Sequence, residues 1–563
     1  MTPPPSPARE ERPAVRQPAV EQVRLEIIGI GEEEEIVELE EHVHGGGDEG
    51  VAGGQDAEVQ VAEAIEGNRV DLRPFTNAVL PVRRPEPFPL DAEGWSEIDG
   101  WDVWECSASL ILPMEEVPGP FRNVWSTALA TVLRRANLAL AGGDEVEVDR
   151  SLKWLLALPK LLLRQVKRGG ERGQGSGELA ARFEAVQQAS WGSLLPMLRR
   201  DEEAAQRRRN KRQGDRRMQR QEEQQDPAEA EARLRKTVLS LIGKGQVGRA
   251  RRRVVSFGVA DIGNPIVREA VKAKYPARSH EMPDTVLAGT CLDAVPGLRD
   301  TLLKLAPGVC AGFGALRHEH LRCAAQQWEE GEEEQLEQFS LSYLNGKLPP
   351  WLYKVWGTTS SVPLYKTVER DPTELRPVGV KASLVRTLHR RVVLANKGAL
   401  REHLEPCQVA CMPAGGAVLS HTVRQMLELN PTFVCVALDV QNAHNAIARA
   451  AVVRELEAVP GLRHLAQHAA ICLAAHHSVE SGGEEITKTG QGVTQGDAEA
   501  PGLYCVGWHR HVLTLNAVLQ LAGGLSIFGN DDGYAIGPAA VVFPAVETFR
   551  GAIREHCGLN LRL

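Results

Sequence analysis

No C-x-x-C pair and no paired Cys/His cluster at zinc-finger spacing occurs in the 563 residues. The ten cysteines stand singly at 106, 291, 310, 323, 407, 411, 435, 472, 505 and 557. That scatter excludes a disulfide framework and fits reduced thiols in an intracellular protein. The closest approach to a ligand group is His318, His320 and Cys323, which is not read as a metal site; Cys407 and Cys411 are read as packed thiols. An apolar core is missing from the opening MTPPPSPAREERP, so no secretory signal is read there. An intracellular location, nucleus or cytoplasm, is expected. Long apolar runs are equally scarce. Val512 to Gly529 carries no charge over eighteen residues, yet it contains Thr514, Asn516, Gln520, Gly523 and Gly524, so it reads as a buried helix running into a strand, with no membrane partner.

The formal net charge of -9 conceals segregation. Residues 1–100 combine the Pro3–Pro5 run, the acids Glu32–Glu35 and the glycines Gly45–Gly47 with few aromatics, a composition in which chain entropy outweighs burial. A disordered acidic leader is expected there, with RLEIIGIG at 24–31 as its one candidate strand. Residues 101–290 read as mainly helical and basic. SLKWLLALPKLLLRQV at 151–166 has leucines at helical spacing until Pro159, where the helix is expected to break. RRDEEAAQRRRNKRQGDRRMQR at 199–220 holds ten basic side chains against four acidic ones. It is either a solvated, salt-bridged helix or, with Arg251, Arg252 and Arg253 behind it, a footprint for a phosphate backbone in which Arg207, Arg208, Arg209, Lys211 and Arg212 take part.

From 291 onward strand-like and helix-like pieces alternate. FVCVALDV at 433–440 reads as a fully apolar strand ending in Asp439, followed by a helix at 448–459 and a second at about 462–477, at whose end His476 and His477 would meet the negative pole. A glycine loop, GQGVTQGD at 490–497, comes next, and Asp497 is positioned to cap the following helix. Trp351 and Trp356 are read as core. The last feature is LSIFGNDDGYAIG at 525–537, an apolar hairpin with Asp531 and Asp532 at its turn. Adjacent carboxylates repel, and a bound cation would relieve the conflict. If the hairpin pairs beside 433–440, Asp439 and Asp531 meet at one edge, a donor set suited to divalent ions that assist phosphoryl transfer.

These pieces resemble the reverse transcriptase domain of non-LTR retrotransposons. LDVQNAHNAI (438–447), GVTQGD (492–497) and FGNDDG (528–533) are similar to three palm motifs in order and spacing. VPLYK (362–366), RPVGV (376–380) and AGFGALRHEHL (311–321) are similar to fingers segments of the same family. The resemblance implies an α/β (α+β) fold with a right-hand polymerase fingers part at 291–430 and palm part at 431–563. It implies Asp439 and Asp531 as ligands of two Mg²⁺ ions (Mn²⁺ as a substitute), with the main-chain oxygen of Val440 sharing that duty and Asp532 supporting the site. Lys366 and Arg376 would hold the triphosphate, and Gln495 and Gly496 would line the nucleotide and template pocket. RNA template, DNA primer and deoxynucleoside triphosphates are the partners implied.

The sequence also departs from the family. His444 stands where a bulky aromatic normally blocks a ribose 2′-hydroxyl, Gly529 replaces an aromatic before the paired acids, and Ala498 replaces a proline. CGLNLRL (557–563) looks like the start of the next motif, and no thumb segment follows it. An RNA-directed DNA polymerase is therefore the first expectation. A catalytically inactive remnant that binds nucleic acid, and an RNA-synthesising polymerase prompted by His444, stand beside it.

Overall fold

The computed structural model describes residues 69–77, 94–107, 113–164, 174–219, 227–243, 247–295, 297–328 and 330–562. The expected strand at 24–31 and the acidic and glycine runs of the leader lie outside these residues. Two pieces of the stretch read as leader belong to the fold. β1 (Arg69–Asp71) pairs antiparallel with β2 (Thr285–Leu287), and Trp95 is buried against Trp154 and Trp191.

The first half is helical. α1 (Arg122–Gly142) and α2 (Glu145–Leu162) pack together over one core. Asp144 caps α2 by accepting the Glu147 N–H at 3.0 Å. Contrary to expectation, α2 runs through Pro159 and ends at Leu162. Residues 151–162 are buried on every side, and a helix buried all round is held by packing, which outweighs one missing backbone bond. α3 (Leu194–Gln219), α4 (Pro227–Gly243), α5 (Val247–Val255) and α6 (Pro265–Ala273) carry the basic stretches forward. α7 (Glu330–Leu344) packs against α1.

Two four-stranded sheets follow. One has the order β4-β3-β6-β7, from β3 (Thr359–Tyr365), β4 (Leu375–Val380), β6 (His477–Ser481) and β7 (Glu484–Thr489). The other has the order β10-β5-β9-β8, from β5 (Val434–Gln441), β8 (Leu525–Phe528), β9 (Asp532–Gly537) and β10 (Asn560–Arg562), all antiparallel. Between the strands lie α8 (Ser383–Leu404), α9 (Gly415–Leu429), α10 (Arg449–Ala458), α11 (Ala466–Ala474), α12 (Ala500–Gln520) and α13 (Ala539–Cys557).

β5 is not buried on both faces. Leu438 and Val440 enter the core, whereas Cys435, Ala437, Asp439 and Gln441 are exposed, because α12 and α13 pack on one side of the sheet. The open face carries Asp439.

α11 stops at Ala474, and His476 and His477 do not end a helix. His477 opens β6 and is buried, because the chain turns extended at Ala475 and enters a hairpin whose turn, Gly482-Gly483, has φ of 61° and 80°. Trp351 and Trp356 are both buried, and the Trp351 indole N–H donates to Asp149 at 2.8 Å. His320 uses one ring nitrogen on the Met114 carbonyl and the other on the Arg317 N–H.

Candidate active site

The register of the second sheet sets Asp439 on β5 directly opposite Asp532 on β9. In antiparallel neighbours, opposed side chains project from the same face with Cβ atoms roughly 4.5–5.5 Å apart. Asp531 is the preceding residue, in the turn closed by the Gly529 N–H donating to the Asp532 carbonyl at 2.8 Å. Three carboxylates from two distant stretches of chain thus share one corner. Burial pushes the Asp532 carboxyl above its ordinary range, and the charges of Asp531 and Asp439 push it further. Among the described residues none of the three is held in an ion pair.

Local sequence builds this corner. Gly533 follows the acids because a Cβ there would lie 2.0 Å from the Phe528 ring. Phe528 is fully buried beside Trp508 and Phe549, so it has no room to retreat. On the other strand, Val440 is buried opposite Leu561 of β10, and Asn442 turns the chain with φ of 55°. The Asn442 side-chain amide donates to the Lys274 carbonyl at 2.8 Å.

His444 joins the three palm-like motifs. Its carbonyl accepts the Val493 N–H at 2.7 Å, its ring stacks on Tyr504 at 5.0 Å between centroids, and its Nε2 lies 3.5 Å from the Asn530 amide. Burial lowers the pKa of this imidazole, while Asp531 works the other way. A second backbone bond, Gly492 N–H to the Ile447 carbonyl at 2.8 Å, seats the glycine loop on the same segment. A side chain on Gly492 would collide with the Asn445 backbone at 2.4 Å.

That loop also reaches the first sheet. The Gly379 N–H donates to the Gln495 carbonyl at 3.0 Å, and a Cβ on Gly496, where φ is 106°, would lie 2.5 Å from the Gly379 carbonyl oxygen. Gln495 is half-buried and Gly496 exposed. Arg376 is exposed on β4 opposite Leu364, and exposed Lys366 follows β3 with its N–H on the Glu374 carbonyl.

Two cations at this corner had gone unassigned. Arg562 is opposite Asp439 on its other flank. Lys274 sits near enough to Lys366 and Arg562 that burial and these two cations together lower its pKa. Arg562 could have been found by pairing LNLRL with β5, whereas nothing near Lys274 in the sequence marks it. A cavity of about 910 Å³ opens here, lined in part by Lys274, Thr373, Gln441, Asn442, Gln491 and Asn560.

Asp497 does not cap α12. It is buried and bonded to His389 and Lys381, because those groups offer a buried carboxylate charged partners that a helix terminus cannot match. The basic residues lie apart from the carboxylates in sequence. Arg207 is exposed on α3 with Glu203 at 4.0 Å, and Arg251 and Arg253 are exposed on α5. Arg208, Arg209, Lys211 and Arg212 continue α3 and Arg252 belongs to α5, with their side chains outside the described set.

No family model matches the chain. No curated protein matches it either. Among solved structures, 36% of the chain aligns with an apo telomerase from Candida tropicalis truncated from the C-terminal domain, at 12% identity and a TM-score of 0.28 over 49% of that chain. Another 36% coverage is found with a Sicinivirus 3Dpol RNA-dependent RNA polymerase, at 12% identity and a TM-score of 0.26 over 44% of that chain. The chain thus spans about half the length of either. Likenesses this slight carry no argument, and the case rests on the residues.

Proposed function

We propose that this chain is a template-directed nucleotidyltransferase, and specifically an RNA-directed DNA polymerase of a retroelement. One observation carries the reading: Asp439 and Asp532 face one another across paired strands with Asp531 at the adjoining turn. Three clustered, mutually repelling carboxylates are a poor structural device and a good hard-cation cradle. Asp439 and Asp531, with the Val440 main-chain oxygen, would hold two Mg²⁺ ions, for which Mn²⁺ would substitute. When bound, such ions favour the anionic form of an attacking primer hydroxyl and offset charge on the phosphates.

The protein's own groups have separable tasks. Lys366 and Arg376 bind the triphosphate, Arg376 through paired N–H bonds and Lys366 as a point charge, with Lys274 and Arg562 adding positive field beside them. Gln495 and Gly496 line the nucleotide pocket, where glycine lets substrate approach the backbone. His444, neutral and flat against Tyr504, forms the floor on the sugar side. An imidazole is a smaller barrier to a 2′-hydroxyl than a larger aromatic, so ribonucleotides are the substrates of the second reading. RNA template and DNA primer would lie along the basic helices.

Primer extension on an RNA template is the test, with wild type, Asp439→Asn and Asp531→Ala compared in Mg²⁺ and in Mn²⁺. Deoxynucleotide incorporation that falls about 10²–10³-fold in both variants is expected, the scale on which lost electrostatic stabilisation of a transition state is felt. Preference for ribonucleotides would select the RNA-synthesising reading. Equal extension by wild type and variants, or none by any protein, would reject catalysis at this corner.

A further inference from the structure

We propose that a buried zinc site, formed by His389 of α8 and His468 and Cys472 of α11, pins these helices behind the glycine loop. One donor atom from each of the three lies within 4.8 Å of the others, and all three residues are buried. Each imidazole has its far nitrogen held by a carboxylate. Asp497 holds His389 Nδ1 at 2.9 Å from both carboxylate oxygens, which leaves Nε2 directed toward the Tyr343 hydroxyl at 3.2 Å. Glu499 holds His468 Nε2 at 2.9 Å, and Nδ1, 3.1 Å from the Leu344 carbonyl, lies 4.0 Å from the Cys472 sulfur, so a bound ion would take Nδ1 from that carbonyl. A carboxylate on the far nitrogen of each ligating histidine is the arrangement that fixes tautomer and ring direction at zinc.

Bond lengths of about 2.3 Å to sulfur and about 2.0–2.1 Å to nitrogen place tetrahedral ligand atoms roughly 3.5 Å apart, so donors now within 4.8 Å must draw together on binding. The Tyr343 hydroxyl, 3.7 Å from the Cys472 sulfur, closes the fourth side. All three donors are buried, which keeps solvent from the ion. The soft thiolate and two imidazoles select zinc over magnesium.

Charge supports the same assignment. Without metal, Lys381, His389 and His468 face Cys472, Asp497 and Glu499, six ionisable groups buried together. Exchanging two ring protons for one dication leaves the charge of the cluster unchanged, removes two buried donors, and sends those protons to solvent.

The inference is independent of the polymerase reading. The test uses the full chain, stripped with chelator and titrated with Co²⁺, followed by its thiolate-to-cobalt charge-transfer band, together with zinc content of the protein as purified. One zinc per chain, and a band that saturates at one Co²⁺ in wild type and in Cys407→Ser but is lost in Cys472→Ser, are expected. Glu499→Gln should weaken zinc about 10–100-fold. Wild type that binds no zinc and gives no thiolate band overturns the site, whatever the variants do. A band that survives in Cys472→Ser overturns it too, and either result leaves a hydrogen-bonded ion cluster.

Discussion

Gly533 shows how much one atom decides. A methyl group at this position would press on a Phe528 ring that has no vacant space behind it. Gly533→Ala should therefore cost about 1–3 kcal/mol, the usual penalty of overpacking, and displace the Asp531–Asp532 turn. Thermal unfolding together with extension activity checks this, and an unchanged midpoint would show that the hairpin absorbs the methyl. Single residues were also where local reading misled. Asp497, one residue after Gly496, looks like a helix cap in sequence, yet its partners Lys381 and His389 come from another part of the chain. His444 is similar: its spacing after Asp439 is readable, its stacking on Tyr504 is not.

At the scale of elements, the hairpin of β6 and β7 carries a conflict of its own. Glu480 and Glu485 are cross-strand partners, and like charges placed opposite one another repel. Burial first, and Glu485 second, push the Glu480 carboxyl up to about 7 from an ordinary 4.5. The fold thus prefers this group neutral: its contribution is complete below about pH 4.5 and is lost as pH rises through 7. Stability of the protein should fall over that window by about 1–2 kcal/mol, discounted because the side chain is partly exposed. Glu480→Gln should flatten the pH dependence and raise the melting temperature at pH 8. If chemical denaturation gives parallel pH profiles for the two proteins, the charge on Glu480 is not what the fold resists. The hairpin went unread in the sequence, although Ser481-Gly482-Gly483-Glu484 is a two-glycine turn between β-prone runs. Helix α2 was legible only in part, since the cost of Pro159 is local and the burial that outweighs it is not.

Over the whole molecule, two charged features stand in different elements: the arginine runs of α3 and α5, and the three acids at the corner of the second sheet. A phosphate backbone neutralised by α3 would show in the salt dependence of binding. Replacing Arg207, Arg208 and Arg209 with Ala should weaken single-stranded RNA binding across sequences and reduce the slope of log affinity against log salt by about 2, at roughly 0.7 per phosphate contact. Equal slopes for the two proteins would leave α3 as a solvated helix. What the amino-acid sequence determined by itself was the set of local patterns: the strand carrying Asp439, the glycine loop, the hairpin with its two acids, and the basic runs, all written in spacing and turn chemistry. Only the tertiary structure decided that Asp439 lies across from Asp532, that Arg562 stands on its other flank with Lys274 near that arginine, and that His389, His468 and Cys472 share one buried pocket. Periodicity acts between neighbours along the chain, whereas strand register and helix packing are settled by contacts between segments that the sequence holds far apart.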